Sequence, residues 1–473
     1  MSPSELSHDL NTTLICVFVV AQLLYTLTFL VELYFLTLPR RVVDMDEPIA
    51  EPEASYPYIV LFYPVLRELE STMETTFHAL GRLQYPEGRF EVVAIPNASD
   101  EATVASLERL KVKFPFLRLM SVPATTDPSW NPIWKDWDAN PHVYWWHRGK
   151  RAGVRDLPPK KTRQLIYAFY HKAAELAHEP QLLIDYIDAD SAPPADHFMA
   201  AVRGIKHFDV LQAQNVAGNL MRSMAASWHA FDHMTWDGNK YLRLSAGDRQ
   251  PFWVLGKGLF FRARDLLELG GFNPWLTIED PEVGMRFWKN GRRLGVITGS
   301  LIEEVPETLG EGVTQRKRWV AGFLQSLGQP LKEMGFTPWE RFKAWMIFAP
   351  CASLWFNAIG IPTGIWALAM WASGHSTIPE WTVWLAGLNL TCFTIAMIGQ
   401  YAATWKRTKL VLHTRRERIA YMLRVNPISV MIWWVLWIIP LFIGLRMYLR
   451  DEGLVWQRTE KIDANNQLVR SSR

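Results

Sequence analysis

The sequence predicts an α/β domain set among membrane-spanning helices, and three observations carry that prediction. Residues 58–63, 90–95 and 116–122 are apolar runs of strand length separated by helical stretches, the alternation that builds a sheet covered by helices. Four much longer apolar runs, at about 12–38, 344–372, 381–405 and 427–449, are each long enough to cross roughly 30 Å of hydrocarbon. Between the first of these and the other three lies a long stretch of ordinary globular composition.

The first long run, TTLICVFVVAQLLYTLTFLVELYFLTL, is broken only by Glu32. It is too long for a signal-peptide core and lacks a basic front and a small-residue cleavage site, which predicts an uncleaved anchor. A net charge of +3, with no basic block carrying interleaved aromatics, gives no case for nucleic acid as a partner. Cys16, Cys351 and Cys392 all fall in apolar runs, so neither a disulfide framework nor a cysteine zinc site is indicated. Arg40 and Arg41 close the first run, Arg341 and Lys343 open the second, and Lys406, Arg407, Lys409, Arg415, Arg416 and Arg418 follow the third. The positive-inside rule places these residues and the globular part in the cytoplasm, with the N-terminus outside. The tail carries Arg446, Arg450, Arg458 and Lys461, yet a fourth full crossing would put it outside. Either the last run is re-entrant or the charge rule fails there.

An acidic, proline-containing linker, 44–57, leads into the strand at 58–63, which Pro64 ends and after which Glu68 and Glu70 begin a helix. The strand at 90–95 runs into Pro96-Asn97-Ala98-Ser99-Asp100-Glu101, a loop and N-cap ahead of a helix to about 113. In such folds ligands sit beyond the carboxyl ends of the strands. Segment 123–159 contains Trp130, Trp134, Trp137, Trp145 and Trp146. It reads as an inserted loop or hairpin packed on the domain, or as a stacking or membrane-interface platform. Lys160 and Lys161 then start a helix, where a bound anion would relieve their mismatch with the helix dipole.

The strand at 181–187 delivers Asp185-Tyr186-Ile187-Asp188-Ala189-Asp190 to a turn. Two carboxylates one residue apart at a strand end suit a hard divalent cation, although a solvated acidic turn is the plainer reading. A strand at 209–214 and a helix at 220–242 follow; His229 and His233, spaced i, i+4, read as ordinary polar-face histidines rather than a metal pair. Gly256-Lys257-Gly258, within 252–262, is a turn that permits close backbone approach. Thr277-Ile278-Glu279-Asp280 precedes an amphipathic helix, so its acids either favour the helix start or include a general base. After a strand at 294–302, Gln315-Arg316-Lys317-Arg318-Trp319 opens an amphipathic segment to 331. That segment lies in the membrane interface, or holds an anionic leaving group and an acceptor.

In their order and spacing these signals, from about 57 to 331, resemble the membrane-embedded family 2 glycosyltransferases, the group of the cellulose, chitin and hyaluronan synthases and related bacterial exopolysaccharide enzymes. The matching residues are Asp188 and Asp190, Thr277 to Asp280 with Ile278 inserted, Gly270-Gly271-Phe272, Glu303-Glu304, and Gln315, Arg318 and Trp319. The resemblance implies a GT-A type nucleotide-sugar domain, a mixed sheet flanked by helices, over 58–310. Around it would stand an anchor at 1–43, the linker 44–57, an interface helix at 311–340, about three membrane helices in 341–450 and a polar tail at 451–473.

The resemblance further implies Mg²⁺ or Mn²⁺ on Asp188 and Asp190, and Asp280, beside Glu279, as the catalytic base. Glu68, Asn97, Asp100, Lys160, Lys161, Gln315 and Arg318 would serve the nucleotide and diphosphate, and Trp319, Gly256 and Lys257 the acceptor. Two positions depart from the family: Asn97 stands where an aspartate usually contacts uracil, and Pro159-Lys160-Lys161 replaces Gly-Lys. A UDP-sugar is the expected donor, and a growing glycan extended processively the expected acceptor. Transfer of one sugar to a membrane lipid such as ceramide or polyprenyl phosphate is the alternative, and an inactive binding or transport subunit is an alternative of another class. Membrane lipids, a second copy of the chain or an accessory export or regulatory subunit are the further partners so implied.

Overall fold

The computed structural model describes residues 3–140, 154–244, 250–374, 378–450 and 459–471. In chain order its elements begin with α1 (Pro3–Thr37), β1 (Tyr58–Val65), α2 (Glu70–Leu80), β2 (Phe90–Pro96), α3 (Glu101–Lys113), β3 (Leu117–Leu119), α4 (Asn131–Ala139), α5 (Lys161–Glu175) and β4 (Leu182–Tyr186). They continue with α6 (His197–Gly204), β5 (Val210–Ala217), α7 (Met224–Thr235), α8 (Tyr241–Leu244), β6 (Leu259–Arg262), α9 (Ala263–Glu268), α10 (Asp280–Lys289), β7 (Leu294–Glu303) and α11 (Leu309–Leu327). Last come α12 (Leu331–Met334), α13 (Pro338–Ala372), α14 (Trp381–Arg407), α15 (Arg415–Arg424), α16 (Pro427–Leu436), α17 (Ile438–Leu449) and α18 (Asn466–Ser471).

The strands form one seven-stranded sheet in the order β3-β2-β1-β4-β6-β5-β7. Only β6 is antiparallel to its neighbours. Both faces of the central strands are buried, which is why β1 reads as an almost unbroken apolar run and β2 and β4 each carry one acid, Glu91 and Asp185, in an otherwise apolar run. Along β1, Val60 and Phe62 enter the core with Ile184 and Phe169, whereas Ile59, Leu61 and Tyr63 enter the opposite core with Phe77, Leu107 and Phe198. The alternation is the period of two of a pleated strand. A register shift between Ala213 and Gln214 bends β5 where a π-helical turn, Trp236–Lys240, packs behind it.

Several local expectations are corrected. The strand expected at 116–122 is the short β3, with Val122 only bridging Asn97. The helix expected at 220–242 breaks into α7, the π turn and α8. The tryptophan-rich insert is no loop over its described part: a 3₁₀ turn at Pro128–Trp130 leads into α4. Trp130 and Trp137 are buried there against Tyr167 and Tyr170 of α5, and Trp130 stacks on Trp134, so these rings fill core and offer no platform. Trp145 and Trp146 lie outside the described residues.

Four apolar stretches, Asp9–Phe35, Leu354–Ala372, Trp381–Leu410 and Pro427–Leu449, are long and apolar enough to cross a membrane. Three helix ends meet the α/β domain. Past α1, Val296 N donates to Arg41 O (2.8 Å); at the start of α13, Glu340 pairs with Lys289 (3.0 Å); at the end of α14, Arg407 donates to Gln214 Oε1 (2.5 Å) and Asn215 O (2.6 Å). The fourth stretch behaves differently. It starts from α15, whose Tyr421 donates to Ser227 O of α7 (3.0 Å), and is interrupted at Trp437. Its second half, α17, lies along α11 so closely that a Cβ on Gly444 would meet Val320 Cβ at 2.6 Å and Lys317 O at 2.8 Å. The chain then returns to the domain, where Thr75 donates to Asp463 (2.8 Å) and Arg82 to Val469 O (2.8 Å). The residues before and after the last run, Tyr421 of α15 and Asp463 and Val469 of the tail, thus both bond the α/β domain.

Candidate active site

β4 ends at Tyr186, and the turn after it presents Asp188 and Asp190 beyond the carboxyl edge of the sheet. Tyr63 and Thr76 both donate to Ala189 O, at 2.6 and 2.9 Å, and fix the turn from below. Asp185, on the strand itself, points away into the core and bonds His197 (2.9 Å). Asp188 accepts from Lys161 Nζ (2.6 Å), and Asp190 accepts from Lys461 Nζ (2.6 Å) and Glu304 N (2.8 Å). Burial works against the charge of Asp188, but Lys161 and then Lys257 outweigh it and hold the carboxyl below its ordinary range.

The Gly256 turn closes the floor. Its N–H donates to Asp280 Oδ2 (3.1 Å) and its carbonyl accepts from Lys161 (2.5 Å). A Cβ built on Gly256 would stand 3.3 Å from Lys161 Nζ and 3.6 Å from both Asp280 Cγ and Glu279 Oε1, so base candidates and the lysine that bonds Asp188 converge on one small space. Burial, and next the charge of Glu279, push Asp280 up to about 8. Glu279 itself is buried and accepts from Thr162 (3.4 Å).

The two lysines of the helix start part company. Lys161 reaches the floor, whereas Lys160 is buried and donates to Leu276 O (3.0 Å), which supports the loop ahead of Asp280. Asn97, at the end of β2, is buried with its Oδ1 occupied by Arg163 (2.6 Å). Asp100 caps α3 through Thr103 and takes the Arg67 amide (2.9 Å). Glu68 stands close enough to Tyr63 to raise its hydroxyl pKa further, after burial itself.

The opposite wall is α11 with α7. Trp319 lies against His233 of α7 (ring centroids 5.9 Å apart). His233 Nδ1 bonds Glu303 (2.8 Å), whose other oxygen pairs with Lys257. Arg316 is fully buried beneath Trp319, Trp433 and Trp437, and Asp232 gathers Arg316 (3.1 Å), Trp433 Nε1 (2.8 Å) and Trp437 Nε1 (2.9 Å). Arg318 donates to Thr459 (3.0 Å); burial lowers its pKa against the pull of Asp188. Gln315 Oε1 is buried without a hydrogen-bond partner among the described residues.

Sequence reasoning missed His233, Glu303 in this role, and the tail. Glu304 accepts from Ile462 N (3.1 Å) and Ala464 N (2.6 Å) and so seats Lys461 beside Asp190. His229 and His233, expected as ordinary polar-face histidines, are not that: His229 is buried against Trp433 and close to Gly312, and His233 bonds Glu303. Only the basic character of the tail hinted that it belonged with the acids.

The floor fits a divalent cation. Asp188 and Asp190 offer hard oxygens, Asp188 keeps 41% of its side chain exposed, and the Lys461 ammonium on Asp190 stands in for a cation. Among the described residues no third histidine, cysteine or acid completes a cluster, so water and phosphate oxygens would supply the remaining positions.

A sequence comparison with curated proteins gives no match. Among solved structures, the chain is similar to the mannosyltransferase PcManGT from Pyrobaculum calidifontis in complex with GDP-Man and Mn²⁺, at 17% identity and TM-score 0.54, over 93% of this chain and 99% of that one. Also similar are S. aureus TarS 1–349 (11% identity, TM-score 0.34, 86% and 94% covered) and glucosyl-3-phosphoglycerate synthase from Mycobacterium tuberculosis (14%, 0.32, 62% and 89%). The sheet, with its single antiparallel strand β6, is accordingly a GT-A fold. A model described as glycosyl transferase family group 2 matches residues 183–449, more than half of the chain and all of the α7–α11 wall, and the chain belongs to that family of glycosyltransferases.

Proposed function

We propose that this glycosyltransferase is a metal-dependent, inverting enzyme that moves a sugar from a nucleoside diphosphate sugar, expected to be a UDP-sugar, to a hydroxyl of a glycan acceptor at the membrane face. The observation that carries this reading is the convergence of Asp280, Glu279, Lys161 and Asp188 around Gly256. Asp188 and Asp190 would hold Mg²⁺ or Mn²⁺, which when bound neutralises the diphosphate and the charge that grows on it. The archaeal mannosyltransferase of similar fold binds GDP-Man and Mn²⁺, in keeping with such a site.

The remaining work falls to side chains. Lys161, bonded to Asp188, and Arg318, which feels the charge of Asp188, would hold the diphosphate, the second as a planar fork. Asp280, ionised, takes the proton of an acceptor hydroxyl held in line with the anomeric carbon, and the C–O bond to the diphosphate breaks as the new bond forms. No glycosyl-enzyme is needed. Trp319 offers the acceptor sugar a face. Arginines and lysines at the three helix ends that meet the domain support its placement in the cytoplasm of an integral membrane protein.

Extension of a polysaccharide is the first reading of the acceptor. A second reading, single transfer to a membrane lipid, is favoured by the small number of apolar stretches, because the four found among the described residues leave little wall for a glycan channel in one copy. Purified protein screened against sugar nucleotides for release of nucleoside diphosphate tests the reaction. Labelled membranes then separate long polymer from a single-sugar lipid.

A further inference from the structure

We propose that His233 is an acceptor-positioning residue, and that Glu303 and Lys257 aim it. The inference rests on the transferase reading above. His233 Nδ1 is committed to Glu303 Oε1 at 2.8 Å, and the second oxygen of Glu303 is held by Lys257. That leaves Nε2, which is buried and has no hydrogen-bond partner among the described residues. Its ring lies 5.9 Å from the Trp319 ring, tilted at 42°. On the same side of α11, one turn before Trp319, Gln315 Oε1 is a second buried oxygen without a partner among the described residues. Buried polar atoms are ordinarily bonded, and two orphans flanking one indole have the composition of a sugar subsite: a flat apolar face for the ring and planar polar groups for its hydroxyls.

The Glu303 carboxylate also explains why the site needs a histidine. Burial alone would raise Glu303, but Lys257 and His233 outweigh it and hold the carboxyl at about 2. A fixed carboxylate on Nδ1 selects one orientation of the imidazole and leaves Nε2 as the nitrogen that can take a further partner, the arrangement by which a carboxylate commonly orients a working histidine. Lys257 feels Asp188 and Asp190 as well as Glu303. The chain Asp188–Lys257–Glu303–His233–Trp319 thus joins the donor floor to the acceptor wall, and an acceptor hydroxyl bonded to Nε2 would be placed relative to the donor diphosphate.

The test uses membranes carrying the full-length protein, fed a radiolabelled sugar nucleotide chosen from the wild-type screen, with two products counted: label in glycan or lipid, and free sugar from hydrolysis by water. His233→Ala is expected to lower incorporation at least tenfold while hydrolysis and nucleoside diphosphate binding stay within twofold of wild type. His233→Gln, which keeps a planar polar end, is expected to recover part of the loss. Incorporation and hydrolysis falling together, or nucleotide binding falling with them, would show a structural role and overturn the proposal; so would incorporation unchanged in His233→Ala. Wild-type protein that hydrolyses and transfers no sugar nucleotide would instead sink the transferase reading, and this proposal with it.

Discussion

On the donor floor, the two metal-turn aspartates and Glu303 each carry their own cation: Lys161 on Asp188, Lys461 on Asp190 and Lys257 on Glu303. Across the site the acceptor wall is made the other way, from aromatic rings and polar atoms left unspent, with Nε2 of His233 and Oε1 of Gln315 both buried and lacking partners among the described residues. On the proposed reading, the contrast follows from the ligands each half would take. A charged floor cannot stay buried without counter-ions, because an uncompensated carboxylate out of water costs several kcal/mol. A divalent cation with a diphosphate can exchange for lysines without leaving net charge behind. A neutral sugar brings no charge to exchange, so the wall keeps hydrogen-bonding capacity in reserve and offers flat surface.

The sharpest way to break the comparison is at Asp280, the one floor acid whose pKa is driven far up. Asp280→Asn is expected to cut transfer by about 10²–10⁴-fold, the range for loss of a general base, while nucleotide binding survives. The sign of its pH dependence is fixed: Asp280 works only ionised, and burial beside Glu279 raises it to about 8, so kcat/KM should climb with pH up to that region. The folded state holds this proton more tightly than the unfolded one, so stability falls as pH rises from about 4 to about 8. Asn, which carries no charge, should flatten that loss and raise the melting temperature above pH 8. A variant that keeps wild-type activity would remove Asp280 as the base.

Next in size is removal of the cation. Chelation should lower nucleoside diphosphate release by at least about 100-fold, since a bound ion supplies several kcal/mol of charge stabilisation, and Mn²⁺ or Mg²⁺ should restore it. Asp188→Asn should resist that restoration. Activity indifferent to chelator would mean that the lysines alone neutralise the diphosphate. On the wall the effects are smaller: Trp319→Ala should reduce transfer roughly tenfold, in line with about 0.5–1.5 kcal/mol for aromatic contact beyond the area buried, and leave hydrolysis of the donor by water intact. Equal losses of both would put Trp319 on the floor's side of the comparison.

The two halves also differed in how far they could be read from the sequence. The sheet was legible because both its faces are buried, so β1, β2 and β4 are apolar apart from Glu91 and Asp185, and the turn acids were legible because they follow a strand end. Gln315 and Trp319 announced themselves by spacing along one helix. What no local pattern carried was pairing over distance. His233 depends on Glu303, 70 residues away, and Asp190 on Lys461, 271 residues away. Reading His229 and His233 as polar-face residues failed because a helix face shows which residues are neighbours on it and not what packs against it. Likewise Lys160 and Lys161 were indistinguishable in sequence, and one φ/ψ step at the start of α5 sends one to Leu276 and the other to Asp188.

The smallest predicted effect tests the floor's compensation directly and has the opposite sign. Lys461 occupies Asp190 from a tail that is seated independently, by Glu304 on the amides of Ile462 and Ala464, by Thr75 on Asp463 and by Arg82 on Val469 O. Lys461→Ala should therefore leave the tail in place and remove only the ammonium. If that ammonium holds the cation's place, a divalent ion no longer has to displace it, and Mn²⁺ affinity in the absence of nucleotide should rise. Only 13% of the Lys461 side chain is exposed, so the pair is screened less than a surface bridge; even so, the gain should be modest, about threefold to fivefold, because a partly hydrated ion pair contributes only about 1 kcal/mol. Titration followed by the Mn²⁺ paramagnetic signal reads this without turnover. Weaker Mn²⁺ binding in the variant would mean that Lys461 supports the site rather than competing for it, and the floor would then differ from the wall only in charge, not in being already filled.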